Sequence, residues 1–396
     1  MVEGRKLKAH SLIDKVYRWS NLASAWEKVK SNKGAGGVDK VSIEQFEERK
    51  ETYFQELYEQ LKGDKYYPLP VRRVYIPKPD GKRRPLGIPT IRDRVVQQAL
   101  LNKLEPIFEK KFHESSFGYR PGKSPHLAMR RIWKELRSGN RWVVEVDIRH
   151  FFDTIDHERL IDFVAEEVAD GRVLGLIRSF LKAKVSEDYT LIDVICGTPQ
   201  GGVISPLLAN VYLHKFDVRM VESGYRVTRF ADDLVITCRA KKEAELALEK
   251  VRQVLENELD LELHPTKTRI VHISQGFEFL GYLVKLGSRG TMFALPSDKS
   301  IKNFKDKVRR ITQRENPLKL PDVIEELNPV LRGWGNYYRK AHVKRLFHRF
   351  DGWIQRRIWS FKAKRWRNTL WKVYPAKVLY SELGLVNMFH LIPIRT

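Results

Sequence analysis

Only two cysteines, Cys196 and Cys238, occur in 396 residues, and they form no CxxC pair. That excludes a disulfide framework and a cysteine-built metal knuckle. No run of eighteen apolar residues appears, so no membrane-spanning helix is expected. The N-terminus, MVEGRKLKAH, is polar throughout and does not read as a signal peptide. Internal repeats and low-complexity tracts are also missing. These absences lead to the expectation of a soluble, cytoplasmic bacterial or nucleoid-associated protein with no membrane partner. Acid is in short supply too: 49 Asp+Glu face 73 Lys+Arg, a net charge of +24 and a pI near 9.8. A surplus of that size favours a polyanionic partner, and nucleic acid is the simplest one.

What is present begins with core material. The 42% apolar content over this length is enough for two or three domains. Basic charge concentrates from Lys299 to Lys372, with 21 Lys+Arg against 6 Asp+Glu. The same stretch holds Trp334, Trp353, Trp359, Trp366 and Trp371. Two readings of these tryptophans stand: stacking platforms for bases or riboses, or core residues of a basic helical bundle. Asn328-Pro329 and glycines read as breaks between its helices.

Upstream, Leu22, Trp26 and Val29 fall on one helical face, and KGAGGVDK then reads as a flexible connector rather than a P-loop. Ser42 and Gln45 form a capping box before a helix carrying Phe54, Leu57, Tyr58 and Leu61. The PDG turn predicts a basic hairpin whose tip carries Lys78, Lys82, Arg83 and Arg84. It is either a lid for a triphosphate or a solvated turn. A helix follows through Val95, Leu100, Leu104 and Phe108.

The chemistry lies in three segments. RWVVEVDIRHFFDTIDHERL is a strand running into a helix. Val144, Val146 and Ile148 alternate towards the core, and Glu145 and Asp147 towards a cleft. Asp153 and Asp156 read as helix caps. In GTPQGGVISPLLANVYL, Gly201 and Gly202 allow close approach of a backbone or nucleotide, while Ser205 and Pro206 read as a helix start. YRVTRF-ADD-LVIT is a hairpin with Asp232 and Asp233 at its tip. Adjacent carboxylates in a cleft repel, so one protonates or a cation settles between them. An all-oxygen site suits magnesium, with phosphate as co-ligand. Asp147, Asp232 and Asp233 together make a set that two divalent ions about 3.5–4 Å apart can bridge, the arrangement of nucleotidyl transfer. Lys267 and the lid basics can neutralise phosphate charge; Lys267 also reads as an ordinary surface lysine.

The order of these pieces resembles the reverse transcriptase family, and within it the group II intron-encoded reverse transcriptase/maturases. The resemblance rests on YIPKPDGKRRPLGIPTIRDRVVQQAL, SSFGYRPGKS, VDIRHFFDTIDH, GTPQGGVISPLLANVYL, RFADDLVI and FLGY, which run from Tyr75 to Tyr282. LNPVLRGWGNYYR is similar to the maturase (X) domain. The resemblance implies an α+β right-hand polymerase with fingers, an antiparallel-sheet palm and an α-helical thumb. Its partition here would be an N-terminal helical extension at 1–36, fingers and palm at 37–295, thumb/maturase domain at 296–372 and a short C-terminal tail at 373–396.

The resemblance further implies that Asp147, Asp232, Asp233 and the Ile148 carbonyl hold two Mg2+ ions, with Mn2+ as the alternative. Phe152 corresponds to the steric gate that selects dNTPs. Gln200 and Gly201 would line the incoming nucleotide. Lys78 and Arg84 would clasp its triphosphate, and Lys267 would stand near the leaving pyrophosphate as a proton donor. RNA template, intron RNA, a DNA or RNA primer and dNTPs are the implied partners. Two departures stand out. Phe230 replaces the tyrosine of the usual YADD box, and no His/Cys cluster resembles an HNH endonuclease. The expectation is therefore a compact form without an HNH endonuclease domain. Splicing-only and host-adapted roles in defence or repair remain alternatives, and the intact acid triad weighs against a relict polymerase.

Overall fold

The computed structural model describes residues 8–77, 83–188, 190–198, 201–287, 290–364, 370 and 372–393, without the side chain of Arg84. The fold is α+β, and its contacts divide into two compact units, 1–270 and 271–396. The first unit opens with α1 (Ile13–Val16) and α2 (Trp19–Ser31), which buries Leu22, Ala25, Trp26 and Val29. The glycine-rich loop after α2 is a packed strap, not the flexible connector expected. Arg72 Nη2 donates to Gly36 O at 2.7 Å, and a Cβ on Gly37 would lie 2.6 Å from Thr90 Cα. Backbone approach that close is open to glycine alone.

The expected capping box is formed: Ser42 and Gln45 bond reciprocally at the start of α3 (Ile43–Glu48). Then come α4 (Lys50–Lys62), with Phe54, Leu57 and Leu61 buried, and the antiparallel hairpin of β1 (Val71–Pro77) and β2 (Arg83–Ile88). Lys78 and Lys82 lie outside the described residues. Helices α5 (Ile91–Glu109) and α6 (Pro125–Arg137) lead to β3 (Trp142–Asp147), where Val143, Val144 and Val146 are buried. The short α7 (Phe151–Thr154), α8 (His157–Ala165) and α9 (Gly171–Leu181) follow. Strands β4 (Val185–Glu187) and β5 (Thr190–Ile192) complete a sheet ordered β2-β1-β4-β5.

Next are α10 (Ser205–Glu222), β6 (Arg226–Phe230), β7 (Asp233–Cys238), α11 (Lys241–Arg252) and β8 (Arg269–His272). The last three strands join β3 in a sheet ordered β6-β7-β3-β8. Helix α11 packs on β3 and β7, and α6 and α10 pack on β6. These helices cover β3, β6 and β7, while the acids of the other face gather towards one end of the sheet.

The second unit contains a small antiparallel sheet of β9 (Phe277–Phe279), β10 (Tyr282–Leu286) and β11 (Met292–Pro296). Three helices follow: α12 (Asp298–Ile311), α13 (Leu320–Tyr338) and α14 (Lys344–Ala363). The expected boundary at 295 and the division of contacts at 270 differ by this sheet. Asn328-Pro329 does not break the bundle, because Pro329 lies inside α13. The Asn328 side chain ties that turn to the C-terminal segment, donating to Gly384 O at 2.9 Å and accepting from Val386 N at 2.8 Å. Asp351 of α14 accepts from Met388 N and Phe389 N at 2.9 and 3.0 Å. Residues following α14 are thus packed into the unit, with Leu379, Leu385 and Met388 buried. Trp334, stacked on Phe304 at 4.5 Å, and Trp359, bonded to Tyr374 O, are half-buried packing residues. Trp366 and Trp371 lie outside the described residues. No helix among the described residues is long and apolar enough to cross a membrane.

Candidate active site

Two strands bring the acids together. In the β3–β7 ladder Asp147 stands directly opposite Asp233. In the β6–β7 hairpin Phe230 pairs with Asp233, leaving Ala231-Asp232 as a two-residue tip. Ala231 takes φ +57°, a left-handed conformation that an alanine rarely adopts. The register therefore gathers Asp147, Asp232 and Asp233 at one end of the sheet.

Beyond β3 the chain bridges Ile148 to Leu263. The bonds of this bridge run from Arg149 N to Glu262 O and from His264 N to Asp147 O, both at 2.8 Å. They leave the Ile148 carbonyl out of the bridge. Asp147 Oδ2 pairs with Lys267 Nζ at 3.0 Å, and Lys267 is exposed. Glu145, the other acid on this face, is half-buried and paired with Arg269 of β8. Its charge is already balanced, so it stands apart from the triad.

The Asp233 carboxyl is pushed up to about 6. Protein crowding strips water from it, and repulsion from Asp232 and Asp147 adds to the effect, with Lys267 opposing. The residue still opens to solvent on one side, so salt screens part of that repulsion. Among the described residues no three His, Cys, Asp or Glu side chains are drawn close enough to enclose a metal. The donor set itself, three carboxylates with one raised by its neighbours, fits a hard divalent cation, which would relieve the same repulsion.

Other expected residues are placed as follows. Phe152 lies in α7, only 8% exposed and edge-on to Phe151 at 5.3 Å. Its carbonyl accepts from Thr198 N at 2.6 Å, so the loop before the glycine pair is tied to the turn after Asp147. Gly201 has φ +119°, and a Cβ there would lie 2.2 Å from Gly87 O of β2. Arg84 sits on β2 opposite Ile76. Lys78 and Gln200 lie outside the described residues.

Two capping expectations are corrected. Asp156 caps α8 as expected, accepting from Arg159 N at 2.7 Å, but Asp153 lies inside α7 and caps nothing there. Ser205 is the first residue of α10, not its cap. The cap position is Ile204, which has no side-chain cap; Gln97 of α5 instead anchors the loop entering the helix, its Oε1 accepting from Val203 N at 2.7 Å and Ile204 N at 3.4 Å. Gln97 and Gly118 are site-supporting residues that sequence reading missed. A Cβ on Gly118 would sit 2.3 Å from Ala231 N at the hairpin tip. The SSFGYRPG stretch was the available signal for Gly118; nothing local marked Gln97.

Comparison with known proteins adds to this geometry. Residues 76–284 match the family model described as reverse transcriptase (RNA-dependent DNA polymerase), and residues 301–376 match the group II intron maturase-specific domain. The chain is 36% identical over 328 residues to Protein YkfC of Escherichia coli K12, covering 72% of this chain and 86% of that protein. It is 34% identical over 335 residues to the group II intron-encoded protein LtrA of Lactococcus lactis, covering 68% of this chain and 55% of LtrA. It is 26% identical over 325 residues to the putative COX1/OXI3 intron 2 protein of Saccharomyces cerevisiae, covering 67% of this chain and 38% of that protein. The matched stretch thus spans nearly all of YkfC but little more than half of LtrA.

Proposed function

The chain belongs to the reverse transcriptase family, in its group II intron-encoded, maturase-bearing branch, and from that premise we propose how its residues carry out RNA-directed DNA polymerisation. The observation that carries the reading is the register of β3 against β7, which sets Asp147 opposite Asp233 with Asp232 at the adjoining tip.

In this reading Asp147, Asp232, Asp233 and the Ile148 carbonyl would hold two Mg2+ ions, with Mn2+ as the alternative. When bound, the ions lower the charge repulsion between primer and triphosphate and favour the 3′-oxyanion. The primer 3′-hydroxyl gives its proton to solvent as its oxygen bonds to the α-phosphorus, and the bond from that phosphorus to the departing pyrophosphate breaks. Lys267, at 3.0 Å from Asp147, sets an ammonium beside the developing phosphate charge and donates a proton to the leaving group. Gln200 and Gly201 line the nucleotide, Lys78 and Arg84 clasp its triphosphate, and Phe152 bars a 2′-hydroxyl. The polymerase takes the right-hand form, with fingers and palm at 37–295 and an α-helical thumb at 296–372. The thumb's basic face binds intron RNA and so assists splicing and mobility, while RNA template and a DNA or RNA primer occupy the polymerase.

The test is extension of a DNA primer on an RNA template with dNTPs and Mg2+, beside the Asp232→Asn variant. Extension by the unmodified protein, reduced about 10³-fold or more in the variant, is expected from loss of a metal-holding carboxylate. Folding and RNA affinity should be unchanged. Full activity in Asp232→Asn would overturn the site. Tight binding of structured intron RNA without any extension would favour a splicing cofactor.

A further inference from the structure

We propose that Asp217, Arg229 and Asn210 form a buried positioning network that sets the divalent-metal affinity of the acid site through the strained Ala231 turn. The inference rests on the metal-site reading above and deepens it.

Arg229 stands on β6, two residues before Ala231, and its side chain and that of Asp217 are both fully buried. The pair is bidentate: Arg229 Nε donates to Asp217 Oδ1 at 2.8 Å and Nη2 to Oδ2 at 2.6 Å. The remaining guanidinium nitrogen, Nη1, donates to Asn210 Oδ1 at 2.8 Å and to Ala231 O at 3.1 Å. Asn210 Nδ2 in turn donates to Gly118 O at 2.8 Å. Gly118 presses against the tip, since a Cβ there would stand 2.3 Å from Ala231 N. The backbone closes the same circuit, with Phe117 N donating to Arg229 O and Arg229 N to Ser115 O, each at 2.8 Å.

A buried ion pair is a poor source of stability, because desolvation offsets much of the attraction. What this one supplies is direction. Asp217 uses both carboxylate oxygens to fix the guanidinium plane. The plane leaves Nη1 aimed at the carbonyl of Ala231, whose φ of +57° no local preference favours. Asn210 holds Gly118 against the other side of the turn. Asp232 follows Ala231 directly, so its carboxylate can be no better placed than this turn. Supporting partners of metal ligands commonly change metal affinity 10–100-fold when removed.

The experiment uses the full chain and the variants Asn210→Ala, Asp217→Asn and Arg229→Lys. Val173→Ala, a cavity variant in α9, serves as a destabilised control. Mn2+ binding without substrate is read by electron paramagnetic resonance, and Mg2+ dependence by primer extension. Thermal melting and RNA affinity are measured alongside. Asn210→Ala is expected to weaken Mn2+ binding and raise the Mg2+ midpoint about tenfold or more, with RNA affinity unchanged. Val173→Ala should lose melting temperature without moving either midpoint. Asn210→Ala keeps the ion pair intact, so it decides the matter if Asp217→Asn fails to fold. Unshifted metal midpoints in folded Asn210→Ala would overturn the network while leaving the metal site standing. Unshifted Mn2+ binding in Asp232→Asn would overturn the metal-site reading, and the network with it.

Discussion

Asp233 shows how a single side chain reports its surroundings. Its carboxyl, raised to about 6 by crowding and by Asp232 and Asp147, takes up a proton on folding between about pH 4 and pH 6. A raised acid favours the folded state below its unfolded value and loses that advantage as pH rises through the folded one. Taken alone, this residue should therefore lower the melting temperature of the metal-free protein at pH 7 relative to pH 4. A cation competes with the same proton, so Mn2+ affinity should rise as pH passes 6 and level off above it. Titrating Mn2+ binding between pH 5 and pH 8 checks this, and a flat profile would mean Asp233 is not a ligand. Phe152 offers a second residue-scale outcome. Phe152→Ala should raise incorporation of ribonucleotides relative to deoxyribonucleotides about tenfold or more, read as the ratio of kcat/KM values. The substitution also removes a buried ring at a cost of about 3–5 kcal/mol, so Phe152→Val is the companion that leaves a smaller cavity. An unchanged sugar ratio in both would remove the gate.

Elements fix where those residues stand. The valines of β3 and the two-acid turn were legible because alternation and turn chemistry act within a few residues. The anchor of the loop entering α10 was not, because Gln97 lies on another helix 106 residues before Val203. Pro329 was misread for a related reason. A helix interior ordinarily rejects proline, but Asn328 ties that turn to Gly384 and Val386, contacts that exist only after folding. The contact of Gly201 with β2 predicts an element-scale effect. Alanine there would meet both φ +119° and the Gly87 carbonyl at 2.2 Å, a strain of about 1–3 kcal/mol that the loop relieves by shifting. In Gly201→Ala the KM for dNTPs should rise about tenfold with template affinity unchanged. An unaltered KM would separate this loop from the nucleotide site.

At the scale of the whole molecule, charge governs behaviour. A net +24, concentrated on the helices of the second unit, should make RNA binding fall steeply with salt as condensed counterions are released. If six or more phosphates are neutralised, affinity for structured RNA should drop about 10³-fold or more between 50 and 200 mM salt. Filter binding across that range checks it, and a shallow slope would move the RNA contacts away from the basic helices. The sequence by itself determined the acids, the basic surplus, the glycine and turn positions and the order of motifs, because each is written in composition or in spacing over a few residues. Tertiary structure alone decided that Asp147 faces Asp233, that Gln97 anchors the loop entering α10 and that Arg229 turns its guanidinium onto Ala231. Those are contacts between residues far apart in the chain or between buried groups, and only a closed core, where unpaired polar groups are costly, selects among the partners available.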